Sequence, residues 1–169
     1  MVIWNYFMPK HKSMKLTQNK RGVAMRLFFG SILFILLGAG NIYAEMVAVS
    51  ETSADIRSSP SLVVSTVLLQ VPRYYPLSTQ GAQGDFFKVT DYLDNTGWIQ
   101  KTSVDNIRAV IIKAEKVNIR KGPGKKNPIV LKAQAGVTFK VISEKGDWLQ
   151  IKHESGMTGW LFKALVWGN

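Results

Sequence analysis

Three short blocks recur in one order along this chain, and that repetition limits its fold more than any other feature. Asp55-Ile56-Arg57-Ser58-Ser59-Pro60 returns as Asn118-Ile119-Arg120-Lys121-Gly122-Pro123 at an offset of 63. Gly84-Asp85-Phe86-Phe87-Lys88-Val89 returns as Gly146-Asp147-Trp148-Leu149-Gln150-Ile151 at an offset of 62, and Thr96-Gly97-Trp98-Ile99 as Thr158-Gly159-Trp160-Leu161 at the same offset. One residue is therefore gained or lost between the blocks, and the reading places it near Tyr75-Pro76. The two copies run over residues 47–104 and 109–166, and the second carries the fuller motifs. Asp105-Asn106-Ile107-Arg108 joins them without a Gly/Ser/Pro tract, so the copies are expected to sit close together.

Within the second copy the pattern is that of strands. Ala109–Lys113 and Val117–Arg120 are β-rich runs, the latter alternating apolar Val117 and Ile119 with Asn118 and Arg120. Thr138–Glu144 and Trp148–Lys152 face each other across Lys145-Gly146-Asp147, where glycine permits the positive φ of a tight hairpin. Ser155-Gly156-Met157 turns the chain into Thr158–Phe162. Gly122, Pro123, Gly124, Asn127 and Pro128 break the second strand off into a long loop. No stretch keeps a helical period. The expectation is an all-β protein of two small barrels, each near the lower size limit for its own core.

Ahead of the repeats, Leu27–Ala39 reads LFFGSILFILLGA, preceded by Lys20, Arg21 and Arg26 and followed by Asn41-Ile42-Tyr43-Ala44. A cationic stretch, an apolar core and a small residue are the order of a secretory signal, so residues 1–44 are read as an export signal cleaved after Ala44. The apolar core is shorter than the roughly 20 residues that span a bilayer. Contact with the membrane is expected only if the signal stays uncleaved as an anchor. The start at Met1, Met14 or Met25 is left open. The expected location is the periplasm or cell envelope.

Charge follows the same division. The formal net charge is +11, but residues 1–44 hold six cations and no acid, which leaves 16 Lys+Arg against 11 Asp+Glu in the remainder. Residues 45–104 carry 4 Lys+Arg against 6 Asp+Glu, and residues 105–169 carry 12 against 5. The second copy is thus fitted to an acidic partner, or to the first copy. Nucleic acid is not the expected partner, because export separates the basic surface from it.

The absence of cysteine removes disulfides, thiolate metal sites and a cysteine nucleophile together. His153, the only histidine after the signal, has no companion histidine for a metal and no triad partner, and reads as a surface residue. Asp147 and Glu154 are not arranged as an acid–base pair. Gly122-Pro123-Gly124-Lys125-Lys126 lacks the spacer, hydroxyl residue and helix of a phosphate loop. No metal, cofactor or catalytic group is expected.

The ordered motifs resemble those of the bacterial Src homology 3 family, in which Asn-[Val/Ile]-Arg leads into a Gly-Pro loop, followed by Gly-Asp-Trp and Thr-Gly-Trp. The second copy matches at Asn118-Ile119-Arg120-Lys121-Gly122-Pro123, Gly146-Asp147-Trp148 and Thr158-Gly159-Trp160. The first departs at Asp55, Ser59 and Phe86 but keeps Gly97-Trp98. The resemblance implies SH3-like barrels of five or six strands that bind peptides, often of the cell wall, or envelope proteins. Wall hydrolases commonly carry such modules, but this chain ends soon after the second copy, so binding without catalysis is the expectation.

The candidate ligand residues are Trp148, Trp160, Arg120, Lys125 and Lys126 in the second copy and Phe86 and Trp98 in the first. Trp148, Trp160 and Trp167 are candidates for a stacking shelf. Trp148 shares the wetter side of its strand with Gln150 and Lys152, whereas the turn-to-strand setting of Trp160 favours the core. Arg120, Lys121, Lys125 and Lys126 line the long loop, either to meet a carboxylate or simply in solvent, and Arg120 has a structural alternative within its barrel. Tyr74-Tyr75-Pro76 either packs at the join or adds to a groove. The leading function is recognition of wall peptide or an envelope protein; the alternatives are a scaffolding protein and, less favoured, a wall hydrolase.

Overall fold

The computed structural model describes residues 44–168. The export-signal reading falls, except for Ala44, outside the described residues. Those residues are all-β, and they form two antiparallel sheets of seven strands each. The first holds β1 (Met46–Val49), β2 (Ser53–Arg57), β3 (Val67–Pro72), β4 (Pro76–Gln83), β5 (Phe86–Thr90), β6 (Thr96–Gln100) and β7 (Val104–Asp105). The second holds β8 (Ala109–Ile112), β9 (Lys116–Arg120), β10 (Ile129–Gln134), β11 (Thr138–Lys145), β12 (Trp148–Lys152), β13 (Thr158–Phe162) and β14 (Val166–Gly168). The strand orders are β3-β2-β6-β5-β4-β1-β7 and β10-β9-β13-β12-β11-β8-β14, the same order shifted by seven strands.

Registers repeat as well. Leu77 lies opposite Val47 as Phe139 lies opposite Val110, and a bulge interrupts β4 after Thr79 just as one interrupts β11 after Val141. The strands also move the one-residue shift away from Tyr75-Pro76. β1 and β2 precede β8 and β9 by 63 residues, whereas β3 to β6 precede β10 to β13 by 62. The extra residue therefore lies in the loop after β2, residues 58–66 against 121–128. Sequence patterning misses β14 in the second sheet and also the longer β10. The latter is an edge strand with only Ala133 buried, so no clean alternation marks it.

Each sheet has its own core. Val47, Val49, Ile56, Val71, Leu77, Val89 and Ile99 fill the first, and Val110, Ile112, Ile119, Phe139, Leu149, Ile151 and Leu161 the second. β8 belongs to both, and all four of its residues are buried. Val110 and Ile112 face the second core while Ile111 packs into the first, which is why Ala-Val-Ile-Ile is an unbroken apolar run. Trp167, for which a stacking shelf and core packing are the two readings, packs half-buried against the first core. The placement has a simple cause: β14 pairs with β8, setting Trp167 opposite Ile111 and so on the same side. Thr138 Oγ1 also donates to the Arg73 carbonyl at 2.7 Å, tying the two sheets by a hydrogen bond.

Tyr75 is buried in the first core, where its hydroxyl donates to Asp91 Oδ2 at 3.1 Å. Asp91, 2% exposed, also accepts from the amides of Leu93 and Asn95 and from Asn95 Nδ2, so its buried charge is well satisfied. Burial first, and the Asp91 carboxylate second, push the Tyr75 phenol above its ordinary range. As pH rises through the ordinary phenol range near about 10, the unfolded chain loses this proton while the folded chain keeps it. Stability is thus full below that range and falls above it. Urea midpoints measured at about pH 9 and about pH 11 are expected to drop in the native protein and to drop less in Tyr75→Phe. Equal drops would exclude Tyr75 as the cause.

Candidate functional site

The loop that follows β9 is shaped by Asn127. Its amide and Nδ2 both donate to the Gly124 carbonyl, while Lys121 N–H donates to Pro128 O at 2.9 Å. A β-carbon on Gly122 would stand 2.8 Å from Asn127 Oδ1, so the Asn127 side chain would have to shift, and Gly124 has φ of 131°, which favours glycine. Arg120 Nη1 donates to the Asn127 carbonyl at 2.7 Å, which makes Arg120 a fastening for this loop. In the first sheet Arg57 reaches Ser65 Oγ and Asp55 instead.

On the outer face of β12 and β13, register sets Trp148 opposite Phe162 and Gln150 opposite Trp160. The Trp148 and Phe162 rings lie 5.5 Å apart and tilted by 58°. Together with Val117 and Leu165 they give a groove of about 370 Å³ its apolar lining, and Lys116, Asn118, Arg120 and Lys125 give it a basic and polar one. Of the residues picked from sequence, Trp148, Arg120 and Lys125 therefore meet in one place. An aromatic wall beside three cations is fitted to a peptide-like ligand that carries a carboxylate.

Four candidates fall elsewhere. Trp160 is not in the core: buried Gly159 and Leu161 flank it and point inward, so alternation turns Trp160 outward, half-buried opposite Gln150. It does not line the groove. Lys126 is exposed and also lies off the lining. Phe86 occupies the first-sheet position that Trp148 holds in the second, but at 6% exposure it has no open face to stack on a ligand. Trp98 is half-buried on the first sheet, opposite Lys88.

Phe162, Lys116 and Leu165 were missed. Phe162 was legible in principle, because a hairpin of matched five-residue strands puts the first residue of β12 opposite the last of β13. Glu144 accepts from Lys163 Nζ at 2.6 Å and from Arg108 Nη2 at 3.2 Å, and these cations, Lys163 foremost, hold its carboxyl below the usual range. Among the described residues no group of three or more His, Asp and Glu side chains is placed to hold a metal.

A family model matches the same half of the chain. Residues 113–168 match the family model described as a bacterial SH3 domain, beginning just after β8. A 56-residue stretch is 34% identical to the Bacillus subtilis (strain 168) protein named "Putative N-acetylmuramoyl-L-alanine amidase YrvJ", covering 33% of this chain and 11% of that protein. The chain thus spans about a tenth of that relative's length. Among solved structures, NlpC2 from Trichomonas vaginalis aligns at 14% identity and a TM-score of 0.34, over 75% of this chain and 48% of its own. NlpC1 from the same organism aligns at 18% identity and a TM-score of 0.33, over 80% and 50%. One bacterial SH3 domain therefore occupies residues 113–168.

Proposed function

We propose that this chain is an exported, non-catalytic binding protein of the cell envelope, made of two SH3-like barrels, residues 47–104 and 109–166, and that its second barrel takes cell-wall peptide. The observation that carries the reading is the groove in which Trp148 and Phe162 face Arg120, Lys116 and Lys125. Stem peptides of peptidoglycan offer carboxylates to those cations and aliphatic stems to the rings. The shared strand order supports a divergent first copy, and the relative named as an amidase supports a wall setting.

The test is sedimentation of the purified protein with isolated peptidoglycan. Retention in the pellet is expected, with Trp148→Ala weakening it about tenfold, as removal of a central aromatic anchor does. A native protein that stays in the supernatant overturns the reading. A second reading, a rigid scaffold that docks an envelope protein, draws on the core residue and hydrogen bond shared between the sheets; binding to a protein but not to walls selects it.

A further inference from the structure

The two sheets share not only strand order but the turns that hold one corner of each core. Tyr74 N–H donates to Val49 O and Val49 N–H to Tyr75 O, just as Gly136 N–H donates to Ile112 O and Ile112 N–H to Val137 O. Asp91 N–H donates to Asn95 O as His153 N–H donates to Met157 O. These bonds make Tyr75 the counterpart of Val137, Asp91 of His153, and Asn95 of Met157.

In the first sheet this corner is filled by the Tyr75 ring, its hydroxyl bonded to Asp91. In the second, Val137 is too small to fill it. A cavity of about 600 Å³ opens there, with Leu131, Ala133, Val137 and Phe139 as its apolar lining and His153 and Met157 on its turn side. That volume is within the usual range of ligand pockets, about 300–1,000 Å³. The His153 ring meets Phe139 edge-on at 5.6 Å. Ser155 holds the ring in place, its amide nitrogen 3.2 Å and its Oγ 2.9 Å from His153 Nδ1. Exposed Lys116 and Lys132 stand at the edge of the cavity.

We infer that this cavity is a second binding site, which adjoins the Trp148 groove at their common residue Lys116 and receives an aromatic side chain, tyrosine above all, from an acidic peptide segment of a partner protein. The first sheet supplies the template: at the same corner, a phenol ring fits and its hydroxyl bonds to the residue where His153 stands. The lysines select the flanking sequence, because carboxylates beside the ring meet Lys116 and Lys132. His153 is thus a ligand contact and not a bystander.

The probe is acetyl-Glu-Glu-Tyr-Glu-Glu-amide, titrated into the isotope-labelled full-length protein and followed by NMR. Saturable shifts are expected at Val137, His153 and Met157. The peptide with alanine in place of tyrosine should bind about tenfold more weakly. Val137→Tyr with His153→Asp rebuilds the filled corner of the first sheet and should abolish binding. Lys132→Glu, on an exposed edge strand where folding is not at stake, should weaken it about fivefold. Trp148→Ala should leave it unchanged, which separates this site from the wall-peptide groove. Absence of saturable shifts, equal affinity for the alanine peptide, or binding that depends on Trp148 and survives the filled corner would each overturn the inference.

Discussion

Gly159→Ala is expected to lower stability by about 3 kcal/mol, although it adds a single methyl group, because overpacking at a fixed strand crossing has no room to relax. Gly159 lies buried in β13 where that strand crosses β9, and the two pair there through Trp160 and Arg120 alone. A β-carbon would run into Ile119 Cγ2, with the Arg120 carbonyl 3.2 Å away and Val130 Cγ2 at 3.4 Å. Ile119 is itself fully buried among the core residues, so it cannot swing aside, and β9 and β13 must part. Gly97 is under the same restraint from Ile56 and the Arg57 carbonyl. The proper contrast is Gly146→Ala in the hairpin. Gly146 has φ of 57° and nothing within 4 Å of an added β-carbon, so only backbone strain of about 1 kcal/mol opposes it. Urea denaturation of the two variants should rank Gly159→Ala clearly the worse. Equal losses would mean that the glycine of the Thr-Gly-Trp motif is not set by packing.

That clash explains why the repeated blocks were readable at all. Asn-Ile-Arg and Thr-Gly-Trp are far apart in sequence but touch in space: Ile119 fills the place a side chain at 159 would need, and Arg120 and Trp160 are cross-strand partners. Motifs of this kind record the points at which the sheet closes on itself, so they locate strands well. Thr158–Phe162 and Trp148–Lys152 were bounded correctly from patterning alone. The same alternation was enough to turn Trp160 outward between Gly159 and Leu161; the general tendency of aromatic residues toward the core pointed the other way, and the local period won.

The cavity at Val137 was hidden for a different reason. It is a missing volume, visible in sequence only by comparing copies position by position. With the one-residue shift set near Tyr75-Pro76, Tyr75 pairs with Thr138 at an offset of 63, and Val137, the residue that stands at the corner of the second core, is not compared with the ring at all. Once the shift is moved into the loop after β2, the exchanges Tyr75 to Val137 and Asp91 to His153 stand in register. The groove at Trp148 was half legible, since aromatic and basic residues were visible but not which of them a loop fastened by Asn127 would gather.

Trp167→Ala is expected to cost about 2 kcal/mol and to split one unfolding transition into two. The loss is below the roughly 3–5 kcal/mol of a fully buried aromatic because Trp167 is half-buried. Its consequence is larger than its size, because of where the ring sits. Trp167 belongs to a strand of the second sheet but packs against the core of the first, beside Ile111. Each core alone is that of a module near the lower limit of independent stability. Contacts that cross between them therefore decide whether the protein unfolds as one unit or as two. With the ring removed, only Ile111 and the Thr138–Arg73 hydrogen bond remain as links between the cores. Calorimetry of the native protein should give a calorimetric enthalpy equal to the van't Hoff value, and the variant an excess of the former. Pro76 supplies the check on this logic. A β-carbon added at Gly168, where φ is 106°, would press first on the Ala109 carbonyl and then stand 2.9 Å from the Pro76 ring, so Gly168→Ala forces β14 off both β8 and the first sheet and should uncouple the cores at a greater cost in stability. If both variants keep a single transition, Ile111 and the Thr138–Arg73 hydrogen bond are enough to couple the sheets, and Trp167 only covers the first core.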